Sequence, residues 1–327
     1  MSTIVCDLGG TFLRCAVADA AGTLTNVERW RLADREGIWE QIIERICTFA
    51  VGVHSHCDPA DPIVISFPGP VRARWFPVCA PTVSAMEPPP LDFVEKVRSR
   101  SGRSVSLIND VSAAAWRIGE MLDADRCFIV TVSSGIGSKL YDRVRGVFDD
   151  EPYGGEIGHV VVDSSPTAPS CGCGGRGHLG AISSGAATEL LARQRAQSDA
   201  EAFRRSICAR VFGASPESLN NEMHLVPAAL AGDVWAWDVI REAMTPLASV
   251  LTIAAHVTGA QQVVIIGGFA SALGERYADE LRGLVRAHAS PPVFGFDAGA
   301  AIVLWNVGEN ACLEGAAAFG RTRALVT

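Results

Sequence analysis

TIVCDLGGT, residues 3–11, and RCFIVTVSSGIG, residues 126–137, are the two stretches that decide the fold. Each is an apolar, β-rich run that ends in a glycine-containing turn, with more strand-like sequence after it. Apolar runs without polar alternation fit strands buried on both faces, as in a sheet covered by helices. Their recurrence points to an internal duplication. A chain of 327 residues is too long for one compact core and about right for two domains.

Working outward from the first stretch, residues 14–19 and 23–30 read as two further strands with Ala21-Gly22 as the turn. Apolar residues at helical spacing (Ile38, Ile42, Ile43, Ile46, Phe49) predict a helix over 36–51. Ile63–Phe67 is a strand ended by Pro68-Gly69-Pro70, and the proline-rich stretch 71–90 should be irregular. A helix over 91–100, a strand over 104–108 and a helix over 111–122 complete the first half. After the second stretch the chain is mainly helical from Gly185, with a long helix over 234–257. The strand Gln262–Ile266 delivers Gly267-Gly268, a helix follows over 270–287, and a last one covers 312–323. The expected class is α/β. The expected organisation is a domain of residues 1–120, a larger one of 121–310, and a C-terminal helix, about 311–327, returning to the first.

Hydrophobic residues make up 48% of the chain and charged residues 20%, which excludes wholesale disorder. The net charge of −8 argues against nucleic acid and anionic membrane surfaces as partners. No apolar run approaches a membrane span, and STIVCDLGG after Met1 has neither a basic nor an apolar leader, so a cytoplasmic protein is expected. Most of the ten cysteines stand singly in apolar segments (Cys6, Cys15, Cys127, Cys312), where a reduced thiol acts as a small hydrophobe. Lys96 and Lys139 are the only lysines in an Arg-rich chain.

Several segments carry chemistry. The glycines of Asp7-Leu8-Gly9-Gly10-Thr11 would let backbone N–H groups and the Thr11 hydroxyl approach phosphate oxygens, and Asp7 could hold Mg²⁺ through water. Ser133-Ser134-Gly135-Ile136-Gly137 offers the same after the second strand. A plain tight turn is the bland reading of either alone; two such turns, each behind a buried strand, favour a nucleotide site. No Walker-type loop is present. The literal G-x-G-x-x-G of Gly172–Gly177 follows no strand and is rejected as a dinucleotide site. Asn109-Asp110 stands at a strand end, where open α/β sheets place ligands, but either residue could simply cap the next helix. Cys171, Cys173 and His178, with His159, match a tetrahedral structural zinc site, against the alternative of a flexible glycine loop with reduced thiols. Such a zinc would lock the loop bearing His159 and leave no open position for catalysis. His54-Ser55-His56-Cys57-Asp58 is metal-like in composition but has no partner segment, and is read as an exposed turn.

Taken in order, these residues resemble the ROK family (repressors, uncharacterised reading frames and sugar kinases) over nearly the whole chain. Residues 7–11 resemble its first phosphate motif, Asn109-Asp110 its catalytic pair, and Ser134-Gly135-Ile136-Gly137 its second phosphate motif. Gly155-Glu156-Ile157-Gly158-His159 resembles the sugar-binding segment, Cys171-Gly172-Cys173-Gly174 the zinc motif, and Ile266-Gly267-Gly268 the adenosine motif. Ser184-Gly185 and Gly315-Ala316-Ala317 also fit. The resemblance implies a two-domain actin-like ATPase (ribonuclease H-like) fold with an interdomain cleft. It implies ATP, Mg²⁺ and structural Zn²⁺ as cofactors, Asp110 as general base, and a homodimer. The implied acceptor site comprises Gly69, Thr82, Asn109, Asp110, Glu156 and His159, with His159 using one ring nitrogen for zinc and the other for substrate.

The departures bear on the acceptor. The family's third zinc cysteine is His178 here. Two residues later its sugar kinases place a glutamate near the anomeric end of the sugar, and this chain has Gly180. The family's Ala-Pro-Asn loop is Ala80-Pro81-Thr82. Changed polar contacts can alter discrimination by orders of magnitude. The expectation is a kinase for a sugar-like polyol without an ordinary anomeric centre, such as a C7-cyclitol. A hexose kinase and a non-catalytic sugar-binding regulator are the competing readings. A repressor of the family would carry a DNA-binding segment before the first phosphate motif, and Asp7 leaves no room for one.

Overall fold

A computed structural model describes the chain except residues 1, 34–35, 55–56, 152, 290–291, 293–294 and 325–327. It contains strands β1 (Thr3–Leu8), β2 (Phe12–Ala18) and β3 (Leu24–Arg31), helix α1 (Ile38–Gly52), then β4 (Ile63–Phe67) and the short pair β5 (Val71–Arg72) and β6 (Phe76–Pro77). Next come α2 (Phe93–Ser101), β7 (Val105–Asn109), α3 (Asp110–Met121), β8 (Arg126–Val132), β9 (Ile136–Asp142) and β10 (Gly146–Val147). The helical stretch holds α4 (Gly180–Ser183), α5 (Gly185–Ser198), α6 (Ala200–Arg205), α7 (Ile207–Arg210), α8 (Val226–Leu230) and the 25-residue α9 (Val234–Thr258). Then β11 (Gln262–Ile266), α10 (Gly268–Leu273), α11 (Glu275–His288), β12 (Ile302–Leu304) and α12 (Ala311–Ala324) close the chain.

These elements group into two compact units. The first comprises Met1–Asp123, Tyr141–Gly154 and Val307–Thr327; the second comprises Ala124–Leu140 and Gly155–Asn306. In the first unit the sheet order is β3-β2-β1-β4-β7, with β2 and β3 antiparallel and β4 and β7 parallel to their neighbours. All six residues of β1 are buried, which is why it reads as an unbroken apolar run. Ile38, Trp39, Ile42, Ile43 and Ile46 of α1 belong to the same core. Helix α12 packs on α3 and β1. Gly315 is what allows that approach, since a Cβ there would lie 1.7 Å from the Ala113 carbonyl oxygen.

The second sheet has the order β10-β9-β8-β11-β12. It matches the first: three strands consecutive in sequence, then two later strands, with β11 parallel to β8 and β12 parallel to β11. The end of β9 and the whole of β10 group with the first unit, where Tyr141 meets Trp116 edge-on with ring centroids 6.0 Å apart. The core of the second unit centres on α9, whose Trp237, Ile240, Met244, Leu247 and Leu251 are buried.

Two differences from the sequence expectations have clear causes. The single helix anticipated over 270–287 is two, α10 and α11, because Gly274 (φ 68°, ψ −157°) takes a conformation closed to residues with a Cβ. The stretch 71–90 contains the small β5–β6 pair, whose turn holds Ala73 and Arg74 at positive φ (50° and 62°). Arg74 is held there by ion pairing to Asp149 at 3.0 Å and by its carbonyl accepting from Leu107 N–H at 2.9 Å. Cys6, Cys15 and Cys127 are buried free thiols, and burial pushes the Cys15 thiol well up.

Candidate active site

In the first unit Asp7 is the penultimate residue of β1 and is buried. Its cross-strand partner on β2 is Arg14, whose Nε donates to Asp7 Oδ2 at 3.2 Å while Nη2 donates to the same oxygen. Oδ1 has no hydrogen-bond partner among the described residues. Gly9, Gly10 and Thr11 form the β1–β2 turn, closed by Gly9 N–H donating to Phe12 C=O at 2.9 Å. A Cβ on Gly10 would stand 2.6 Å from the Thr82 carbonyl oxygen, so this glycine lets the Ala80-Pro81-Thr82 loop lie against the turn. Asp7, Gly9, Thr11, Phe12, Arg14, Arg29 and Glu309 line a cavity of about 360 Å³. Arg14 was not anticipated from the sequence; its pairing shows only once β1 and β2 are in register.

The structure resolves the ambiguity at Asn109-Asp110. Asn109 is the N-cap of α3, its Oδ1 accepting from Val111 N–H (3.0 Å) and Ser112 N–H (3.3 Å). Its Nδ2 donates to Gly69 C=O at 3.0 Å, tying it to the turn after β4. Gly69 is tight on its other side too, with a Cβ there 2.0 Å from Cys79 C=O. Asp110 is the first residue of the helix and half-buried, with Oδ1 accepting from Val111 N–H at 2.8 Å. Cys312 on α12 lies next to it, Sγ donating to Asp110 C=O at 3.8 Å. Burial, reinforced by the Asp7 and Asp110 carboxylates, pushes the Cys312 thiol well up, so it stays neutral beside them.

In the second unit the turn after β8 holds Ser133, Ser134 and Gly135, with Ser133 N–H donating to Gly135 C=O at 3.0 Å. Gly137 lies within β9, which starts at Ile136. Gly185 N–H donates to Ser133 C=O at 2.7 Å, bringing the start of α5 to this turn. Gly267 (φ 104°) has no room for a Cβ, which would fall 2.6 Å from Val132 C=O, and Gly268 follows beside Ser133. A cavity of about 430 Å³ opens here, walled by Ser133, Ser134, Gly185, Glu189, Asn221, Gly268 and Phe269. Glu189, Asn221 and Phe269 carry no recognisable sequence signal; helix packing alone brings them to this wall.

The segment Gly155-Glu156-Ile157-Gly158-His159 lies flat along β9. Cβ atoms on Gly155 and Gly158 would be 2.5 Å from Ser138 C=O and 2.2 Å from Ile136 C=O, so only glycines permit it. Ser138 Oγ donates to Gly155 C=O. Glu156 projects beside Lys139, Nζ to Oε1 3.3 Å. The donor atoms of His159, Cys171, Cys173 and His178 all lie within 4.8 Å of one another. His159 Nδ1 is 3.8 Å from Cys171 Sγ, and His178 Nδ1 is 3.3 Å from Cys173 Sγ. Tetrahedral zinc with bonds of about 2.0–2.3 Å separates its ligand atoms by roughly 3.3–3.8 Å, the range of the two Cys–His distances. Gly174 and Gly177, both at positive φ, turn the loop, with Cys171 N–H donating to Gly175 C=O at 2.8 Å. Gly180 opens α4; a Cβ there would be 3.1 Å from Gly158 C=O. In the other metal-like cluster, Ser55 and His56 lie outside the described residues and Cys57 is buried.

Two units whose sheets share one strand order, each with a glycine turn behind its first strand, define the actin-like ATPase fold. The ROK family model matches residues 3–323. The C(7)-cyclitol 7-kinase of Streptomyces hygroscopicus subsp. jinggangensis is 36% identical over 320 residues, 94% of this chain and 89% of that one. The ROK hexokinase of Thermus thermophilus superposes with a TM-score of 0.78 at 24% identity, covering 100% of both chains. A ROK family glucokinase from Streptomyces griseus, solved with glucose and AMPPNP, gives 0.73 at 25% identity and covers 98% of this chain and 100% of its own. The chain belongs to the ROK family. It is an ATP-dependent phosphotransferase with an alcohol group as acceptor.

Proposed function

We propose that the enzyme transfers the γ-phosphoryl group of ATP to a hydroxyl of a C7-cyclitol, with Asp110 as general base. The observation that carries the role of Asp110 is that Asn109 does the capping. The Asp110 carboxylate, one residue past the end of β7, would take the acceptor's proton as that oxygen attacks the γ-phosphorus and ADP leaves. Asn109, Glu156, His159, Gly69 and Thr82 would contact the acceptor. Asn109 keeps one amide hydrogen beyond its bond to Gly69, and His159 turns Nδ1 toward Cys171, which leaves Nε2 for a hydroxyl.

The turns of Gly9–Thr11 and Ser133–Gly137 would hold the phosphates, and Gly267-Gly268 the adenosine. Asp7 would hold Mg²⁺ through water on Oδ1, an ion that neutralises charge on the phosphates. His159, Cys171, Cys173 and His178 would hold zinc, whose contribution is to fix the imidazole of His159. A cytoplasmic homodimer is part of the same reading. Among the described residues no helix is long and apolar enough to cross a membrane.

The cyclitol rests on the Streptomyces hygroscopicus relative and on Gly180, which stands where sugar kinases of the family are expected to place a glutamate. Glucose is the competing acceptor, favoured by the Streptomyces griseus relative. ADP release with Mg-ATP across glucose, other hexoses, N-acetylhexosamines and valiolone-type cyclitols separates them. Strong turnover of a cyclitol with weak turnover of glucose is the expected result; glucose as the best acceptor would overturn the assignment.

A further inference from the structure

Lys139 is one of two lysines in a chain whose other 26 basic residues are arginines, and it is only 2% exposed. A buried ammonium is strongly unfavourable unless it is paired. One charged partner is Glu156, Nζ to Oε1 3.3 Å, and that carboxylate is 26% exposed. The two residues are 17 positions apart, one on β9 and the other on the glycine-rich segment laid along that strand. Gly155 and Gly158 allow the segment to lie that close, so the pairing is built into the local backbone. Glu156 Oε2 has no hydrogen-bond partner among the described residues.

We infer that Lys139 is a positioning residue for the acceptor: it holds the Glu156 carboxylate in place with Oε1 engaged, so that Oε2 alone is presented to a single acceptor hydroxyl. This rests on the reading of Glu156 as an acceptor contact. Arginine would not substitute. Its planar fork engages both oxygens of a carboxylate, whereas an ammonium holds one as a point charge. The acceptor is therefore read through one hydroxyl at this position, not by a vicinal diol bridging both oxygens.

The test compares wild type, Lys139→Met, Lys139→Gln, Glu156→Gln and the double variant Lys139→Met/Glu156→Gln, each checked for folding by thermal melting. The probes are Mg-ATP and the best acceptor of the panel. Lys139→Met should raise the acceptor KM on the order of thirtyfold while leaving the KM for ATP unchanged, the scale for truncating one partner of a buried ion pair. Lys139→Gln, of similar length and still a donor, should fold and show a smaller shift of the same kind. In the Glu156→Gln background Lys139→Met should add less than about threefold, because the pair acts as a unit. If Glu156→Gln raises the acceptor KM but neither Lys139 variant does, the positioning role is overturned and the reading of Glu156 stands. An equal effect of Lys139→Met with and without Glu156 overturns it as well. If Glu156→Gln leaves the acceptor KM unchanged, the underlying reading fails and the inference with it.

Discussion

At Asn109 and Asp110 the proposed function divides structural and chemical work between two neighbouring polar residues. Asn109 spends its amide on the α3 cap and on Gly69, while Asp110 sits one position on, inside the first turn. Substitutions should separate these roles. Asp110→Asn should lower kcat by roughly 10²–10⁴-fold, the usual contribution of a general base, and leave the melting temperature nearly unchanged. Asn109→Ala should cost about 1–2 kcal/mol of stability through the lost cap, seen as a lower melting temperature. Steady-state kinetics and melting curves on the two purified variants decide the matter. Equal activity of Asp110→Asn and wild type would remove Asp110 from the chemistry. The sequence offered the cap to either residue, because Asn and Asp both cap helices. Only the backbone at Asn109 (φ −64°, ψ 149°, extended) selects it as the half-in residue.

Between elements, close approach and ion pairing act in different ways. Helices α3 and α12 are far apart in sequence and come into contact at Gly315, with Trp116 and Phe319 packed edge-on beside it at 5.9 Å. Gly315→Ala should push α12 off α3 and cost about 1–3 kcal/mol, as overpacking does. The melting temperature should then fall by roughly 2–4 °C per kcal/mol. A Gly315→Ala variant that melts with wild type would show that the helices have slack there.

In the second unit Arg241 on α9 donates from Nε and Nη2 to the two oxygens of Glu280 on α11, both at 2.8 Å. The Arg241 guanidinium holds the Glu280 carboxyl below the usual glutamate range. A carboxyl whose pKa is depressed by folding stabilises the protein above its unfolded value, and that contribution disappears as the pH falls through the folded one. Wild type should thus exceed Glu280→Gln by up to about 1 kcal/mol at neutral pH, since both groups are partly solvated. The gap should begin to narrow below about pH 4.3, the unfolded value, and be smaller in high salt. Melting temperatures across pH 3–8 provide the check, and a gap as wide at pH 3 as at pH 7 would remove the ion pair as its cause.

Across the whole molecule, the four residues proposed to hold zinc all belong to one unit and none is part of either apolar core. Zinc removal should therefore act locally. One equivalent of zinc should copurify. Stripping it with a high-affinity chelator should raise the acceptor KM and open residues 160–180 to protease, while the bulk of the fold persists by circular dichroism. Metal-free protein with unchanged KM would sink the structural zinc.

The motif order, the two glycine-turned strands and the four Cys and His residues that cluster were legible in the amino-acid sequence. They depend on local pattern: burial on both faces leaves an unbroken apolar run, and turns need glycine wherever a Cβ would collide. The shared strand order of the two sheets follows from that repetition. Other features waited for the tertiary structure because each is a contact between residues that chain order does not bring together. Arg14 meets Asp7 through β-register, Lys139 meets Glu156 because glycines let one segment lie on a strand, and Glu189 and Asn221 reach their cavity by helix packing. Residues 141–154, which begin with the end of β9, group with the first unit, where Tyr141 packs against Trp116. Pattern in the chain sets which elements form, and side-chain packing across long sequence separations decides which charges and rings they bring face to face.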